Sequence, residues 1–205
     1  MHFNPADVIF IPLPSTDKIP LLEQRAGNRQ IIVDIGCGKG RFLLQMAERN
    51  PACFFIGIDI LRKRLQKIEQ KAKKANLSNI ILVNCEAAYC IAYLMPDNAV
   101  STYYAFFPDP WPKRKHAPRR LFSKEILPDI WRTMKENAII HIATDDNNYY
   151  QQILFLFSKS ELFLSVAPYF PPQECKSDFE LEFETKYKPI FRCSFQKILA
   201  NKQKK

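Results

Sequence analysis

Short apolar runs alternate along the chain with longer amphipathic segments. The runs are rich in β-branched and aromatic residues and end at polar residues, glycine or proline, which predicts buried parallel strands. They cover residues 31–34, 53–59, 79–83, 100–107 and 138–143. Between them, apolar residues at helical spacing predict helices. These cover residues 41–49, 61–75, 86–94, about 122–134, and 145 or 146 to 158.

The pattern changes towards the C-terminal end of the sequence. Residues 162–166 are typical of a strand, and the prolines at 168, 171 and 172 predict a loop. Residues 190–196 alternate apolar and polar side chains, which is typical of a half-buried antiparallel strand. The whole pattern favours an α/β fold. We expect a doubly wound, mainly parallel seven-stranded sheet whose last strand is antiparallel.

The domain organisation follows from the same pattern. Residues 1–30 are punctuated by four prolines and predict an N-terminal arm with little structure or a short helical lead-in. Residues 31–205 contain no internal repeat and no linker, so they are expected to form a single domain.

Composition adds a hypothesis about partners. Hydrophobic residues make up 47% and charged residues 25%, which is ordinary globular usage, but the net charge is +9. A chain this basic is expected to bind a polyanion, with nucleic acid as the first candidate and an anionic membrane surface as the second. Prolines break the N-terminal apolar run, and no run approaches the ~18–20 residues that span a bilayer. We therefore expect a cytoplasmic protein with no membrane partner.

The cysteines indicate neither a metal site nor a disulfide framework. None of the six forms a C-x-x-C pair, and no Cys/His set has zinc spacing. They are interpreted as reduced core thiols of a cytosolic protein, and no metal is expected.

Three of the five glycines fall in the run Asp34-Ile35-Gly36-Cys37-Gly38-Lys39-Gly40, between a predicted strand and a predicted helix. Such glycines let backbone N–H groups approach a ligand closely. The run is not the dinucleotide pattern G-x-G-x-x-G, and no G-K-[ST] follows. Asp34 would repel a pyrophosphate but suits a cationic ligand. S-adenosylmethionine, which carries an ammonium, a sulfonium and no phosphate, has this chemistry.

Two further acids follow predicted strands. Asp59 stands 19 residues after Gly40, where a carboxylate can accept both hydroxyl protons of a ribose. Glu86 follows the third strand and could reach an adenine amino group. The alternative is that these carboxylates only close tight turns and cap helices. Three acids at successive strand ends favour the binding interpretation.

The loop after the fourth strand reads Phe107-Pro108-Asp109-Pro110-Trp111-Pro112. It lies where a doubly wound sheet opens its crevice, and two prolines hold Asp109 in a rigid, aromatic surrounding suited to a planar base. Five of the next eight residues, 113–120, are Lys or Arg, which suggests contacts with nucleic-acid phosphates. For the basic helix at 62–74 we favour a solvated charged face instead.

Together these motifs resemble the bacterial tRNA (guanine-N7-)-methyltransferase family. The resemblance rests on DIGCGKG, GID ending at Asp59, FPDPWPKRKHAPRR and HIATDD, and spans residues 31–150. It implies a class I methyltransferase fold, S-adenosylmethionine as donor, and N7 of guanosine 46 in the tRNA variable loop as acceptor.

The resemblance also implies roles for individual residues. Asp109 falls at the catalytic position and is also one of the donor-binding acids. The remaining donor-binding residues would be Asp34, Gly36, Gly38, Gly40, Asp59 and Glu86. Substrate-binding residues would be Lys113, Asp145, Thr185 and Lys186. The residues that meet RNA lie within 115–120 and include Lys115, His116, Arg119 and Arg120.

One segment departs from the family pattern. The family's Thr-Lys-(aromatic)-Glu reads Thr185-Lys186-Tyr187-Lys188 here, with lysine in place of the acid. We expect Lys188 either to point away from the guanine, because an ammonium cannot accept from the base edge, or simply to be exposed. Asp109 and Asp145 would then read the base.

Two other functions remain open. Asp109-Pro110-Trp111 is also similar to the loops of methyltransferases that act on exocyclic amino groups, so another acceptor is possible. A non-catalytic RNA-binding relative is the second alternative, although intact acids at three strand ends argue against it. A monomer and a homodimer are both compatible with the sequence.

Overall fold

The structure is a computed structural model that describes residues 8–10 and 22–199. The strands are β1 (Val8–Phe10), β2 (Gln30–Ile35), β3 (Cys53–Asp59), β4 (Ile80–Asn84), β5 (Val100–Phe106), β6 (Met134–Thr144), β7 (Phe163–Val166) and β8 (Phe191–Lys197). The α-helices are α1 (Leu22–Ala26), α2 (Arg41–Arg49), α3 (Arg62–Lys74), α4 (Ala87–Tyr89), α5 (Ile126–Thr133), α6 (Asn147–Ser158) and α7 (Asp178–Thr185). A π-helical turn at 90–94 extends α4, and 3₁₀ turns lie at 114–119 and 173–175.

The strands form one sheet in the order β1-β4-β3-β2-β5-β6-β8-β7. Every neighbouring pair is parallel except those that involve β8, which runs antiparallel to both β6 and β7. The doubly wound sheet with an antiparallel last strand is therefore confirmed for β2 to β8. An eighth strand, β1, comes from the predicted N-terminal arm and lies at the edge beside β4.

Helices cover both faces of the sheet because successive strand side chains point to opposite sides. Val33 and Ile56 pack on the face covered by α1, α5 and α6. Ile32 and Phe55 pack on the other face with α2 and α3. The carboxyl ends of β2, β3, β4 and β5 consequently meet at one edge, where ligands of such sheets bind.

Several predicted elements differ in extent from those observed. The strand β3 and the helix α2 have the predicted bounds. The helix α5 begins at Ile126, so Pro128 lies in its first turn, where a missing N–H is tolerated. The predicted helix 86–94 consists of one α-helical turn followed by the π-helical turn.

The prediction of an antiparallel β8 is confirmed, but its polar side is more covered than a half-buried strand implies. Its alternation is present, but the side chains of Arg192 and Ser194 on its polar side are also buried. The pattern did not predict α7, whose Glu180 pairs with Arg192. Ser194 is covered in turn by His141 and by the backbone of Tyr169, since its hydroxyl contacts His141 Nδ1 at 2.8 Å and the Tyr169 N–H at 3.3 Å.

All six cysteines lie in the described part of the chain and are unpaired, and five of them are buried. The interpretation as core thiols is confirmed. None of the described helices has the length and hydropathy required to cross a bilayer.

Candidate active site

The glycine turn between β2 and α2 has a backbone that only glycine adopts readily. Gly36, Gly38 and Gly40 have φ of 71°, 57° and 78°. A Cβ at Gly36 would meet nothing within 4 Å, and one at Gly38 would meet only the Gly36 carbonyl at 3.8 Å. These two residues therefore border open space. A Cβ at Gly40 would lie 2.5 Å from Ile68, so this glycine lets α2 pack against α3.

Asp34 ends β2 next to this turn. Its side chain is 5% exposed, and no hydrogen bond or ion pair to its carboxylate is found among the described residues. Burial, together with the nearby charge of Asp59, raises its pKa from 3.8 to about 7. A buried carboxyl without a partner is costly. Because Asp34 lines a cavity, a cation in that cavity would supply the missing partner.

Asp59, at the end of β3, closes the glycine turn. Its carboxylate accepts hydrogen bonds from the N–H groups of Gly38, at 3.0 Å, and Leu61, at 2.7 Å. Arg64 Nη1 lies 3.7 Å from the same carboxylate. Each carboxylate oxygen can still accept a second bond. Arg64 also lines the cavity, so for this residue of α3 the solvated interpretation was incomplete.

The cavity in front of the glycine turn is narrow, about 80 Å³. Asp34, residues 36–41 and Arg64 form one wall, and Phe42 and Phe106 add apolar surface. The opposite wall is the start of α7, with Ser177, Asp178, Phe179 and Glu182. The helix that the hydrophobic pattern did not predict therefore helps to enclose the site.

Glu86 lies elsewhere. Its two carboxylate oxygens accept hydrogen bonds from the N–H groups of Ala88, at 3.0 Å, and Tyr89, at 2.8 Å, so Glu86 caps α4. It borders a second, larger groove of about 620 Å³. The structure brings Asp34 and Asp59 together but leaves Glu86 two strands away from Asp34, because β3 separates β2 from β4.

The loop after β5 is held in a strained conformation. Phe107 and Trp111 have φ of 56° and 42°, which non-glycine residues rarely adopt. Arg120 braces this loop: it donates to the carbonyls of Pro110, at 2.6 Å, and Trp111, at 3.5 Å, and also to the side chain of Gln152. Its guanidinium lies 5.0 Å from the Tyr149 ring centroid. The structure thus gives Arg120 an internal role.

Four other charged side chains of this region are accessible. Asp109, Lys113, Lys115 and Arg119 are exposed, with Asp109 at the rim of the sheet edge. The Arg119 guanidinium lies 5.1 Å from the Trp111 ring centroid. His116 is half-buried and meets the Trp111 ring edge-on at 5.6 Å.

Lys188 lies beside one of the predicted substrate residues and is exposed, and its direction relative to the guanine stays a prediction. Its Nζ lies 3.6 Å from Asp145 Oδ2 and 4.7 Å from the Phe183 ring centroid. Thr185 and Lys186 make contacts within α7 instead: the Thr185 hydroxyl donates to the Leu181 carbonyl and Lys186 pairs with Glu182. Neither residue lines the two cavities described above.

The start of α7 supplies residues that the family resemblance did not include. The family's Thr-Lys-(aromatic)-Glu pattern was matched above to residues 185–188. Ser177-Asp178-Phe179-Glu180 has the same order of side-chain types: a hydroxyl, a charged residue, an aromatic residue and an acid. Its first three residues line the narrow cavity. Ser177 caps the helix by accepting from the Glu180 N–H at 3.2 Å. The spacing Ser-x-x-Glu is a capping-box signature, and it was the signal available in the sequence.

Among the described residues, no group of three or more His, Cys, Asp or Glu side chains could hold a metal ion.

Comparisons with known structures show a shared fold. The 16S rRNA methyltransferase KamB superposes with a TM-score of 0.64 at 15% identity, and the aminoglycoside resistance methyltransferase NpmB1 with 0.59 at 19%. Each alignment covers 86% of this chain and 92% of the other. A family model described as "Putative methyltransferase" matches residues 28–193. Fold and sequence together define a class I methyltransferase.

Curated relatives narrow the family. The tRNA (guanine-N(7)-)-methyltransferase of Geobacillus kaustophilus is 31% identical over 89% of this chain and 86% of its own length. That of Oceanobacillus iheyensis is also 31% identical, over 81% of this chain and 80% of its own length. The relative from Thermotoga maritima is 35% identical over 85% of this chain. The match covers 55% of the length of that relative. The chain belongs to the tRNA (guanine-N7-)-methyltransferase family.

Proposed function

We propose that this protein transfers the methyl group of S-adenosylmethionine to N7 of a guanosine in tRNA, at position 46 of the variable loop. The observation that carries the proposal is Asp34, a buried carboxyl that has no partner among the described residues and faces a cavity beside an open glycine turn. Family membership supports guanine N7 of a tRNA as the acceptor, and position 46 is what the motif resemblance implies.

The residues around the cavity fit the donor. Asp34 would pair with the donor's ammonium group. The open space at Gly36 and Gly38 would let the donor approach the backbone N–H groups of the turn. The cavity of about 80 Å³ suits the amino-acid end of the donor, so the adenosine would extend along the rim. There Asp59 would accept from the ribose hydroxyls with its remaining lone pairs, and Glu86 would lie towards the adenine.

When bound, S-adenosylmethionine supplies a methyl group activated by the sulfonium. Guanine N7 carries a lone pair and no proton, so the chain needs no general base. Its task is to hold N7 in line with the methyl group. Positive charge develops on the purine, and a carboxylate that accepts from guanine N1–H and the 2-amino group stabilises it. We assign this role to Asp109, with Asp145 and Lys113 on the substrate side.

The basic surface beside Asp109 would hold the RNA. Lys115, His116 and Arg119 follow the loop directly, and a chain of net charge +9 attracts a polyanion. A tRNA substrate implies a cytoplasmic protein.

The test is methylation of bulk tRNA with a labelled donor, followed by analysis of the nucleosides. We expect the wild-type protein to form 7-methylguanosine. Asp109→Asn should form far less of it. A methylated exocyclic amino group would instead indicate the alternative acceptor. Binding of tRNA without any labelled nucleoside would indicate the non-catalytic RNA-binding alternative.

A further inference from the structure

The second groove, which Glu86 and Arg119 border, also has aromatic lining residues to which the proposed function assigns no role. It measures about 620 Å³ and lies between α4 with its π-helical turn, the Trp111 loop and the start of α5. Three aromatic side chains, Tyr89, Tyr93 and Trp111, line it together with Arg119. We refer to these four residues as the aromatic groove.

The aromatic groove presents ring faces at its surface. Tyr89 and Tyr93 lie on successive turns with ring centroids 4.9 Å apart and planes inclined by 45°. Tyr93 remains 55% exposed, so its ring is accessible at the groove. Across the groove, Trp111 keeps its position although its backbone is strained, because Arg120 holds two neighbouring carbonyls. Strain of this kind is typical of functional sites.

The charges of the groove suit a nucleotide. Arg119 is exposed beside the Trp111 ring, so it can reach a phosphate while a base stacks nearby. Three acids also line the groove and remain carboxylates: Glu86 caps α4, Asp129 lies 3.4 Å from Arg132, and a hydrogen bond from Ser123 lowers the pKa of Glu125. A phosphate is therefore expected only on the Arg119 side of the groove. Aromatic faces next to an accessible cation are the chemistry that binds single-stranded nucleic acid.

We propose that the aromatic groove stacks one unpaired nucleotide of the tRNA, adjacent to the methylated guanosine. This inference rests on the proposed function. Trp111 stands two residues after Asp109 on the same rigid loop, so a base between Trp111 and Tyr93 belongs to a neighbour of the base at Asp109. The phosphate that joins the two nucleotides would meet Arg119.

The first experiment measures equilibrium binding of a tRNA transcript, without donor, to Tyr93→Ala. Stacking of one base corresponds to a loss of affinity of about tenfold when the ring is removed. Tyr93→Phe and Tyr93→Trp should restore the affinity because they keep a ring face. The matched control is Phe155→Ala, which removes a 62% exposed ring from α6, outside the groove. This control should bind like the natural sequence.

The salt dependence separates stacking from charge. Tyr93→Ala should lower affinity at every salt concentration and leave the slope of log K against log salt unchanged, since the substitution removes no cation that neutralises a phosphate. Arg119→Ala should reduce that slope. A changed slope in Tyr93→Ala, or unchanged affinity, would overturn the stacking assignment.

The second experiment identifies the nucleotide. Transcripts carrying a single abasic residue, moved one position at a time around the target guanosine, are bound to the natural protein and to Tyr93→Ala. One position should weaken binding to the natural protein and leave binding to Tyr93→Ala unaffected. If every abasic position weakens both proteins equally, no base stacks in the groove. These binding measurements do not depend on catalysis. If tRNA binding depends on Tyr93 but no 7-methylguanosine forms, the proposed function is refuted while the assignment of a stacking site to the groove stands.

Discussion

The Nζ atom of Lys188 lies 3.6 Å from Oδ2 of Asp145, so the lysine faces the acid assigned to the substrate side. Both side chains are partly exposed, at 50% and 26%. An exposed pair of this kind contributes about 0–1 kcal/mol. Lys188 therefore shields Asp145 without binding it firmly, and an incoming phosphate or base can separate the two.

This geometry predicts unequal effects of the two residues. Lys188→Ala should change the initial rate of 7-methylguanosine formation on one tRNA transcript by less than about fivefold, because the ion pair is weak. Asp145→Ala should lower the rate by ~100-fold, since the variant loses one of the two carboxylates proposed to read the base and keeps only Asp109. A severe effect of Lys188→Ala alone would mean that the lysine itself contacts the substrate.

Donor affinity should depend on pH through Asp34. Its pKa of about 7 in the ligand-free protein means that the carboxyl is largely protonated below that pH, whereas a bound ammonium requires the carboxylate. Affinity for S-adenosylmethionine should therefore fall by up to about tenfold per pH unit as the pH drops below 7, with uptake of the donor releasing a proton. Calorimetry in two buffers of different ionisation enthalpy measures that proton. In Asp34→Asn, binding should be weak and independent of pH.

The same carboxyl should lower the stability of the ligand-free protein. The pKa of Asp34 is about 7 in the folded protein and 3.8 in the unfolded chain. The resulting loss of stability develops between pH 3.8 and pH 7 and is complete above pH 7. At about pH 8, Asp34→Asn should increase the free energy of unfolding by roughly 1–2 kcal/mol, because a neutral amide is easier to bury. Its Tm at that pH should rise accordingly. At about pH 4 the two proteins should unfold at the same temperature. Equal Tm values at both pH values would show that Asp34 has a partner when folded.

Asp109→Asn keeps the shape of the side chain and removes its charge. We expect the single-turnover rate with saturating tRNA to fall by about 10²–10³, the usual effect of losing one preorganised electrostatic interaction. Donor affinity, measured by calorimetry, should fall only modestly. A near-normal rate would restrict Asp109 to shaping the pocket.

Arg119 and Arg120 should behave differently although they are adjacent. Arg119→Ala should weaken tRNA binding and reduce its salt slope by about 0.9 for each phosphate that the arginine neutralises, with Tm unchanged. Arg120→Ala removes the bonds to the Pro110 and Trp111 carbonyls, so Tm should fall while the salt slope is retained. If Arg120→Ala instead lowers the slope and leaves Tm unchanged, Arg120 binds phosphate directly.

Local patterns were sufficient for the sheet and for the glycine turn. The bounds of β3 and α2 follow from an apolar run that ends at Asp59 and from a helix stopped by Asn50-Pro51. The cation-binding role proposed for Asp34 follows from its place at a strand end before glycines. These features depend on neighbours in sequence, which a pattern contains.

The helix α7 was not predictable in this way, because it depends on contacts between distant segments. Its apolar residues at helical spacing are only Phe179 and Phe183, whose rings meet Phe107 of the loop after β5. Its buried Glu180 is neutralised by Arg192 on another element. A short helix with a buried acid has no clear amphipathic signature until that partner is known.

The orientation of individual site residues was hidden for the same reason. The direction of Glu86 depends on the first turn of α4, which its side chain caps. The direction of Lys188 depends on Asp145, which lies 43 residues earlier. A motif names the residue at a position, whereas the direction of its side chain is decided by what packs around it.

The position of β8 has a consequence for the order in which the molecule matures. This strand comes after β7 in the chain but is inserted between β6 and β7, and its Arg192 holds α7 at the wall of the narrow cavity. During synthesis, β2 to β6 can pair as they emerge, yet β7 has no neighbour in the sheet until residues up to Lys197 are available. A nascent chain therefore acquires its glycine turn early and its enclosed pocket last.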